Sequence, residues 1–291
     1  DMCCGSGSIM AEVIKATKAA RPNAQFAELA LSVTGFDIDP LAVILAKATW
    51  VITLADNIRS SATQVTVPVY HADSLFAVTP ITRRMPLPEE AGTITIDLDG
   101  EHLSLPARLV SPGLRRMFDD IVDWCYDEAC SAREARDVAG ITHARATELV
   151  RALVDRSGIE LTDDEEGEIA TSVYQLARRM GELAVSNRNG IWAFILRNTY
   201  RPGLLAGQFN GLVSNPPWLA MSQMADNPYK EHLSARARSY GIKPSGAAHL
   251  HLELATTHLL HAVDRYLKAG AALACLVPGT VLNGQHHARF R

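Results

Sequence analysis

Short apolar runs alternate with helical patterns in the first quarter of the chain. A helical pattern over residues 9–20 follows a glycine-rich turn, and SVTGFDIDP then predicts a short strand that ends in acidic residues. A second helical pattern is followed by TQVTVPVYHADSL, which predicts another strand. This alternation is typical of an α/β fold with a parallel sheet. The second helix is expected to pack on the sheet through an apolar stripe, which consists of Leu41, Ile44, Leu45, Ala48, Val51 and Ile52.

The middle of the chain has a different pattern. Alternating apolar and polar residues surround Asp99-Gly100, a favoured pair for a two-residue hairpin turn. Helical patterns follow, among them stretches from about Ala132 to Arg156 and from Asp163 to Val185. This region is too rich in predicted structure for a linker. We therefore expect residues 86–201 to form a mostly helical insertion with a β-hairpin.

The α/β pattern returns near the end of the chain. FNGLVSNPPW predicts a strand and its exit, and AALACLVP predicts a buried strand. Between them lies a helix that Gly270 is expected to end. Residues 1–85 and 202–291 are thus expected to be the two halves of one α/β domain. The inner face of the helix is predicted to contain Leu252, Leu259, Leu260, Val263 and Leu267.

Composition narrows the class of protein. The net charge of −4 gives no sign of the broad basic surface of a complete DNA-binding protein. No apolar run approaches the ~20 residues that span a bilayer, so no membrane partner is expected. The five unevenly placed cysteines favour reduced thiols and a cytoplasmic location. Because the chain opens on DMCCGSGS rather than on methionine, we expect it to be a fragment of a longer protein.

Glycines and acidic residues mark the first two turns of the predicted sheet. Gly5 and Gly7 precede a helix, where glycine lets the backbone approach a ligand closely; a plain tight turn is the alternative. Asp37 ends the next strand, the place where an acid accepts hydrogen bonds from ribose hydroxyls in nucleotide-binding folds. Asp73 ends the strand predicted from TQVTVPVYHADSL and is a candidate acceptor for an adenine amino group. A solvated strand-end aspartate is the alternative for Asp73.

The Asn-Pro-Pro-Trp turn is the most informative motif. Strand ends of a parallel sheet converge on one crevice, and neither proline of this turn has an N–H group. The side-chain oxygen of Asn215 and the carbonyl of Pro216 are therefore two acceptors that can hold an exocyclic amino group. Trp218 offers a flat face on which a base can stack. The alternative is a strand stopped by proline, with a core tryptophan.

These motifs occur in an order that resembles S-adenosylmethionine-dependent DNA adenine-N6 methyltransferases. DMCCGSG, GFDIDP, HADSL and SNPPW lie within residues 1–76 and 205–291, and the chain looks most like the large enzymes of restriction-modification and phage-defence systems. The resemblance implies a Rossmann-like methyltransferase sheet, incomplete at both ends of the chain. It also implies S-adenosylmethionine as cofactor, double-stranded DNA with a flipped adenine as substrate, and a specificity or nuclease partner.

The resemblance further assigns a role to each matching residue. Asn215 and Pro216 would accept from the N6 hydrogens, Pro217 would stiffen the turn, and Trp218 would stack on the flipped base. Transfer of the methyl group by direct displacement requires no metal and depends on alignment. The implied cofactor-binding residues are Asp1, Gly5 and Gly7 at the methionine end, Asp37 at the ribose, Ile38 against the adenine ring and Asp73 at the adenine amino group.

Departures from the family pattern, and alternatives, remain. Met2 replaces a usual proline, and Asn210 and Ser214 stand where aspartate and glycine are common. The strand that leads into Asp1 and the family's target-recognition domain are expected outside these residues, so we expect the fragment alone to be inactive. Asn-Pro-Pro-aromatic turns also serve methyltransferases of RNA guanine N2 and of protein glutamine, and a cofactor-binding subunit without catalysis is a further alternative.

Two groups of polar residues have weaker interpretations. Arg236, Arg238 and Lys243, in a segment after the Asn-Pro-Pro-Trp turn, are candidate contacts for DNA phosphates. A predicted helix contains a histidine cluster without an acidic partner at ligand spacing, so no metal is expected there. The cluster consists of His249, His251, His258 and His261.

Overall fold

The computed structural model describes residues 1–62, 65–75, 92–188, 191–224, 228–243 and 252–291. It divides into two compact units. One contains Asp1–Arg83 and Ala206–Arg291, and the other contains Arg84–Leu205. The predicted boundary between residues 85 and 86 lies outside the described residues.

The start of the first unit is built on two parallel strands. β1 (Gly35–Asp37) pairs with β2 (Val69–His71) in register Gly35↔Val69. The first residues of the chain run beside β1, since Phe36 N–H donates to the Asp1 carbonyl at 2.9 Å and the Asp1 nitrogen donates to the Thr34 carbonyl at 2.8 Å. The helices of this segment are α1 (Ser8–Ala20), α2 (Phe26–Ala30), α3 (Pro40–Thr53) and α4 (Ala55–Ser60).

Helix α3 packs through a different face from the one predicted. Val43, Ala46 and Trp50 are buried in a cluster that also contains Met10 and Ile14 of α1. The helix is apolar nearly all round, so periodicity alone does not select its inner face. The predicted inner stripe is wrong, because all six of its members are exposed: Leu41, Ile44, Leu45, Ala48, Val51 and Ile52.

The second unit contains a hairpin and helices. β3 (Thr93–Leu98) pairs antiparallel with β4 (Glu101–Pro106), which confirms the predicted hairpin. Asp99 and Gly100 both have positive φ, as a tight two-residue turn requires. The helices are α5 (Arg115–Ala135), α6 (His143–Ser157), α7 (Asp163–Val185), α8 (Trp192–Thr199) and α9 (Arg201–Leu204).

Capping residues set the helix ends in this unit. Thr162 and Glu165 bond each other's backbone N–H groups at the start of α7, and Gly158 ends α6 in the left-handed conformation. The single helix predicted from Ala132 to Arg156 is wrong. The chain breaks after α5 at Arg136, which has a φ of 56°, and restarts with Thr142 as the N-cap of α6.

The last segment returns to the first unit. It contains β5 (Phe209–Ser214), α10 (Pro228–Ser239), α11 (Leu254–Arg265), β6 (Leu267–Cys275) and α12 (Gly279–Asn283). β5 and β6 are parallel, with Ser214 opposite Cys275. Gly270 lies within β6 rather than ending the helix, Val263 is exposed, and most of β6 is exposed, so these three predictions are wrong.

The described strands thus form three two-stranded sheets, within a mixed α/β chain that is mainly helical. Buried Met2 packs in one cluster with Leu212 of β5 and Tyr266, so the start of the chain and β5 share a core. Within the described ranges, no helix combines the length and apolar character needed to cross a bilayer.

The packing of α3 gives a stability prediction. Trp50→Ala should lower the free energy of unfolding by about 3–5 kcal/mol, because it leaves a cavity in the cluster shared with α1. Ile52→Ala on the same helix should change it by less than about 0.5 kcal/mol, because Ile52 is 74% exposed. Urea titration followed by circular dichroism measures both changes. A larger loss for Ile52→Ala would show that α3 packs through the predicted stripe.

Candidate functional site

The glycine-rich turn is shaped by two glycines with different roles. Both have positive φ, 51° at Gly5 and 83° at Gly7. A Cβ added at Gly7 would lie 2.9 Å from the Cα of Ala46, so Gly7 permits close contact between the turn and α3. A Cβ at Gly5 would meet no atom within 4 Å. Open space therefore lies beside Gly5, whereas packing against α3 accounts for Gly7.

Asp37 ties the end of β1 to this turn. One of its carboxylate oxygens accepts from Gly5 N–H at 2.8 Å, and the other accepts from Asp39 N–H at 3.0 Å. The side chain is only half-buried, and a carboxylate has about four lone-pair sites, so acceptor capacity is left for a ligand. Ile38, the next residue, is 56% exposed.

Asp73 is a buried carboxylate, 5% exposed. One of its oxygens accepts from Leu75 N–H at 2.9 Å. Burial raises the pKa of Tyr229, and the charge of Asp73 and a hydrogen bond to Asp73 raise it further. The alternative interpretation as a solvated strand-end aspartate is therefore wrong. Burying a carboxylate costs free energy unless hydrogen bonds satisfy it. A carboxylate that is nevertheless buried is a candidate binding group.

The loop after Asp73 is held by two buried side chains. Tyr266 donates its hydroxyl to the Ser74 carbonyl at 2.6 Å, and Arg236 donates from Nη2 to the Leu75 carbonyl at 3.0 Å. Arg236 is 5% exposed, and burial lowers its pKa. In this position it supports the loop and does not offer its guanidinium to a phosphate, contrary to the sequence-based expectation.

The two other candidate phosphate contacts lie in or near α10. Arg238 is exposed, two residues after Arg236. Lys243 is half-buried and its Nζ donates to the Ser234 hydroxyl. Arg238 is therefore the better placed of the two for a solvent-side contact.

The Asn-Pro-Pro-Trp turn leaves the end of β5. Asn215 and Pro217 are exposed, and Pro216 is buried. Trp218 is 58% exposed, and its indole N–H donates to the Leu276 carbonyl at 3.2 Å. The alternative interpretation as a core tryptophan is wrong: the N–H group is anchored while much of the ring is open to solvent.

One hydrogen bond joins this turn to the glycine-rich segment. The Ser214 hydroxyl donates to Asp1 Oδ1 at 2.8 Å across 213 positions of sequence, and Cys3 N–H donates to the same oxygen at 3.2 Å. Asp1 Oδ2 is buried and has no hydrogen-bond partner within the described ranges. The residue before Asn215 is thus fixed to the segment that leads into Gly5.

Asp1, Asp37 and Asp73 all interact with Cys3. The charges of Asp37 and Asp73 add to burial in raising the pKa of the Cys3 thiol, and Cys3 N–H bonds Asp1. Burial, with the charge of Asp37, also raises the pKa of Cys4 to about 12. Both thiols are therefore protonated at neutral pH, so neither is suited to act as a thiolate nucleophile. What the site offers a ligand is carboxylate oxygens.

The histidines of α11 are core residues. His258 bonds the Leu254 carbonyl through Nδ1 at 3.2 Å, and Nδ1 of His261 lies 3.0 Å from the Tyr240 hydroxyl. Burial lowers the pKa of both rings. His249 and His251 lie outside the described residues. Among the residues that the structure does describe, no group of three or more histidine, cysteine, aspartate or glutamate side chains is arranged to hold a metal ion.

Sequence reasoning missed several residues that support the site. Ser214, Tyr229 and Tyr266 each contact a predicted site residue or its loop. Only Ser214 had a visible signal, since it departs from a common glycine. Comparisons of the chain with protein families, with curated proteins and with solved structures found no match.

A buried histidine of α11 predicts a pH dependence. Burial lowers the pKa of His258 to about 4 from 6.5, so the unfolded chain takes up the proton first as the pH falls. The free energy of unfolding is therefore highest above about pH 6.5 and decreases as the pH falls towards 4. His258 should account for about 2 kcal/mol of the decrease between pH 7 and pH 5.

His258→Gln should remove the part of this loss that His258 contributes, because the new side chain does not titrate. A pH dependence should remain in this variant, because burial also lowers the pKa of His261. His102→Gln, an exposed histidine of the second unit, should leave it unchanged. The free energy of unfolding in urea at pH 5, 6 and 7 measures the slope for each variant. An unchanged slope in His258→Gln would contradict the prediction.

Proposed function

We propose that the chain belongs to the methyltransferase domain of an S-adenosylmethionine-dependent DNA adenine-N6 methyltransferase, working in a restriction-modification or phage-defence system in the cytoplasm. The observation that carries the proposal is the hydrogen bond from Ser214 to Asp1. It puts the start of the Asn-Pro-Pro-Trp turn beside the segment that leads into the glycine-rich turn. This contact supports a single site built from motifs of both segments of the first unit.

The residues of this site fit the cofactor. S-adenosylmethionine supplies an electrophilic methyl group on a positively charged sulfur. The open space at Gly5, the spare acceptor capacity of Asp37 and the exposed side chain of Ile38 suit its ribose and adenine. Asp73 lies near the same thiol as Asp37 and would accept from the adenine amino group. Asp1 Oδ2 is buried and has no donor among the residues that the structure describes, as expected of an atom that a ligand completes.

Strand placement supports a Rossmann-like sheet. The first residues bond β1 on one side, and through Met2 they share a core with Leu212 of β5. We propose that β2, β1, the start of the chain, β5 and β6 lie in that order. The crevice at the carboxyl ends of such strands is the usual ligand site of the fold. Asp37 is the last residue of β1, and Asp73 and Asn215 follow the ends of β2 and β5.

The residues of the turn would direct the target amine. The Asn215 side-chain oxygen and the Pro216 carbonyl accept the two N6 hydrogens, which concentrates the lone pair on nitrogen. The two prolines fix φ and hold the acceptors in place. The exposed ring of Trp218 stacks on the flipped adenine, a contact that contributes about 1–3 kcal/mol per base. With the cofactor bound, these residues would aim the amine at its methyl group; the carbon–sulfur bond would break as the new carbon–nitrogen bond forms, and the methylated nitrogen would lose one proton to solvent.

Double-stranded DNA is the proposed partner, with Arg238 and Lys243 as the remaining candidate phosphate contacts. A specificity or nuclease subunit would supply sequence recognition or cleavage. A methyl-transfer assay distinguishes this function from the alternatives, which are transfer to RNA guanine, transfer to protein glutamine, and cofactor binding without transfer.

Asn215→Ala should lower methyl transfer to DNA adenine by roughly 100-fold or more, because it removes a preorganised acceptor from the reacting amine. Cofactor affinity should stay within about twofold, because Asn215 lies outside the proposed cofactor contacts. Asn23→Ala, an exposed asparagine of the same unit, is the control.

The assay uses the natural chain that contains these residues, a tritiated methyl donor, and DNA, RNA and protein acceptors, followed by nucleoside analysis. Label in N6-methyladenine is the expected result. Label only in RNA or protein, or equal rates for Asn215→Ala and wild type, would overturn the assignment.

Asp37→Ala should weaken S-adenosylmethionine binding by roughly 10- to 100-fold, because it removes both the ribose acceptor and the bond that fixes Gly5. Asp56→Ala removes an exposed carboxylate from α4 of the same unit and should leave the affinity unchanged. Calorimetric titration of each variant measures the dissociation constants. Equal affinities in the two variants would contradict the placement of the ribose.

A further inference from the structure

Ser214 is a buried polar residue at the junction of the two halves of the proposed site. Its side chain is 2% exposed, and its hydroxyl donates to Asp1 Oδ1 at 2.8 Å. Its carbonyl accepts from Leu276 N–H at 3.0 Å, and it stands opposite Cys275 in the β5–β6 ladder. A hydroxyl bonded to a carboxylate is a strong, directional contact. Ser214 is therefore fixed both by the sheet and by the cofactor side of the site.

We propose that Ser214 is a positioning residue for methyl transfer, which couples the Asp1 carboxylate to the placement of the Asn215 and Pro216 acceptors. This inference rests on the proposed function. One peptide bond separates Ser214 from Asn215, and proline at 216 and 217 removes the φ freedom that would absorb a displacement. A shift of Ser214 relative to Asp1 is thus passed on to the acceptors.

Stability alone does not account for this hydroxyl. The β5–β6 ladder already holds the strand, and the neighbouring core residues Met2 and Leu212 are apolar. Alanine would suit that packing without the cost of burying a polar group. The hydroxyl also fixes which oxygen of Asp1 stays available: Oδ1 accepts from Ser214 and Cys3, and Oδ2 has no donor within the described part of the chain. Ser214 thus orients the carboxylate as well as the turn.

The reaction is sensitive to such a link. The amine nitrogen, methyl carbon and sulfur must lie nearly in line, and small errors of alignment slow a displacement strongly. Ser214 contacts the segment that would hold the cofactor and adjoins the turn that would hold the target amine. It should therefore affect the transfer step more than the binding of either ligand. The expected signature is a lower rate constant for transfer at saturating cofactor and DNA.

The test compares Ser214→Ala with wild type in the natural chain that contains these residues, in single-turnover transfer to adenine-containing duplex DNA. We expect the rate constant to fall roughly 10-fold or more, with KM for DNA within about twofold. Ser157→Ala, an exposed serine of α6, is the matched control.

A double-mutant cycle with Asp1→Asn tests the route. If the bond acts through Asp1, the double variant should be no slower than Asp1→Asn alone. Additive effects, or a Ser214→Ala enzyme as fast as wild type, would overturn the proposal. If Ser214→Ala lowers the unfolding midpoint, Ser214→Thr, which keeps the hydroxyl, should recover the transfer rate. Recovery of stability without recovery of rate would also overturn the role.

The two proposals fail in different ways. Wild-type protein that transfers no methyl group to DNA adenine defeats the proposed function, and the role of Ser214 with it. Wild-type protein that methylates adenine while Ser214→Ala matches it defeats only the role of Ser214.

Discussion

The hydrogen bond between Ser214 and Asp1 is the contact on which the proposed site depends. It joins residues 213 positions apart, and a separate helical unit is inserted between them. Backbone bonds from the first residues to β1 extend the same connection to Asp37, and from there to Gly5. The Asn-Pro-Pro-Trp turn is thereby linked to the cofactor motifs through a short series of direct contacts.

Around this link the structure gathers acids, and burial keeps neighbouring thiol, phenol and imidazole groups uncharged. Asp37 and Asp73 both act on the Cys3 thiol, whose pKa burial raises. Burial also raises the pKa of Tyr266 and lowers that of His261, so both are uncharged near neutrality. Arg236, which is buried at the same loop, is a cationic neighbour of Tyr266 and His261.

Motif order and local turn chemistry could be predicted from the sequence, whereas packing faces could not. The hairpin at Asp99 and the span of α7 were predicted correctly because turn and cap residues act over a few positions. The inner face of α3 was wrong because apolar residues surround the helix, and only its neighbours decide which side is covered. Arg236 resembled a surface phosphate contact, yet tertiary packing buries it against the loop after Asp73. Contacts between residues far apart in the sequence produce no periodic pattern from which they could be predicted.

The contact between Gly7 and Ala46 has a consequence for how the chain can change over evolutionary time. Their backbones approach so closely that a Cβ at position 7 would lie 2.9 Å from the Cα of Ala46. A side chain longer than alanine at position 46 would approach the backbone of Gly7 from the opposite side. Substitutions at these two positions are therefore not independent, and relatives of this chain should carry small residues at both, or change the two together.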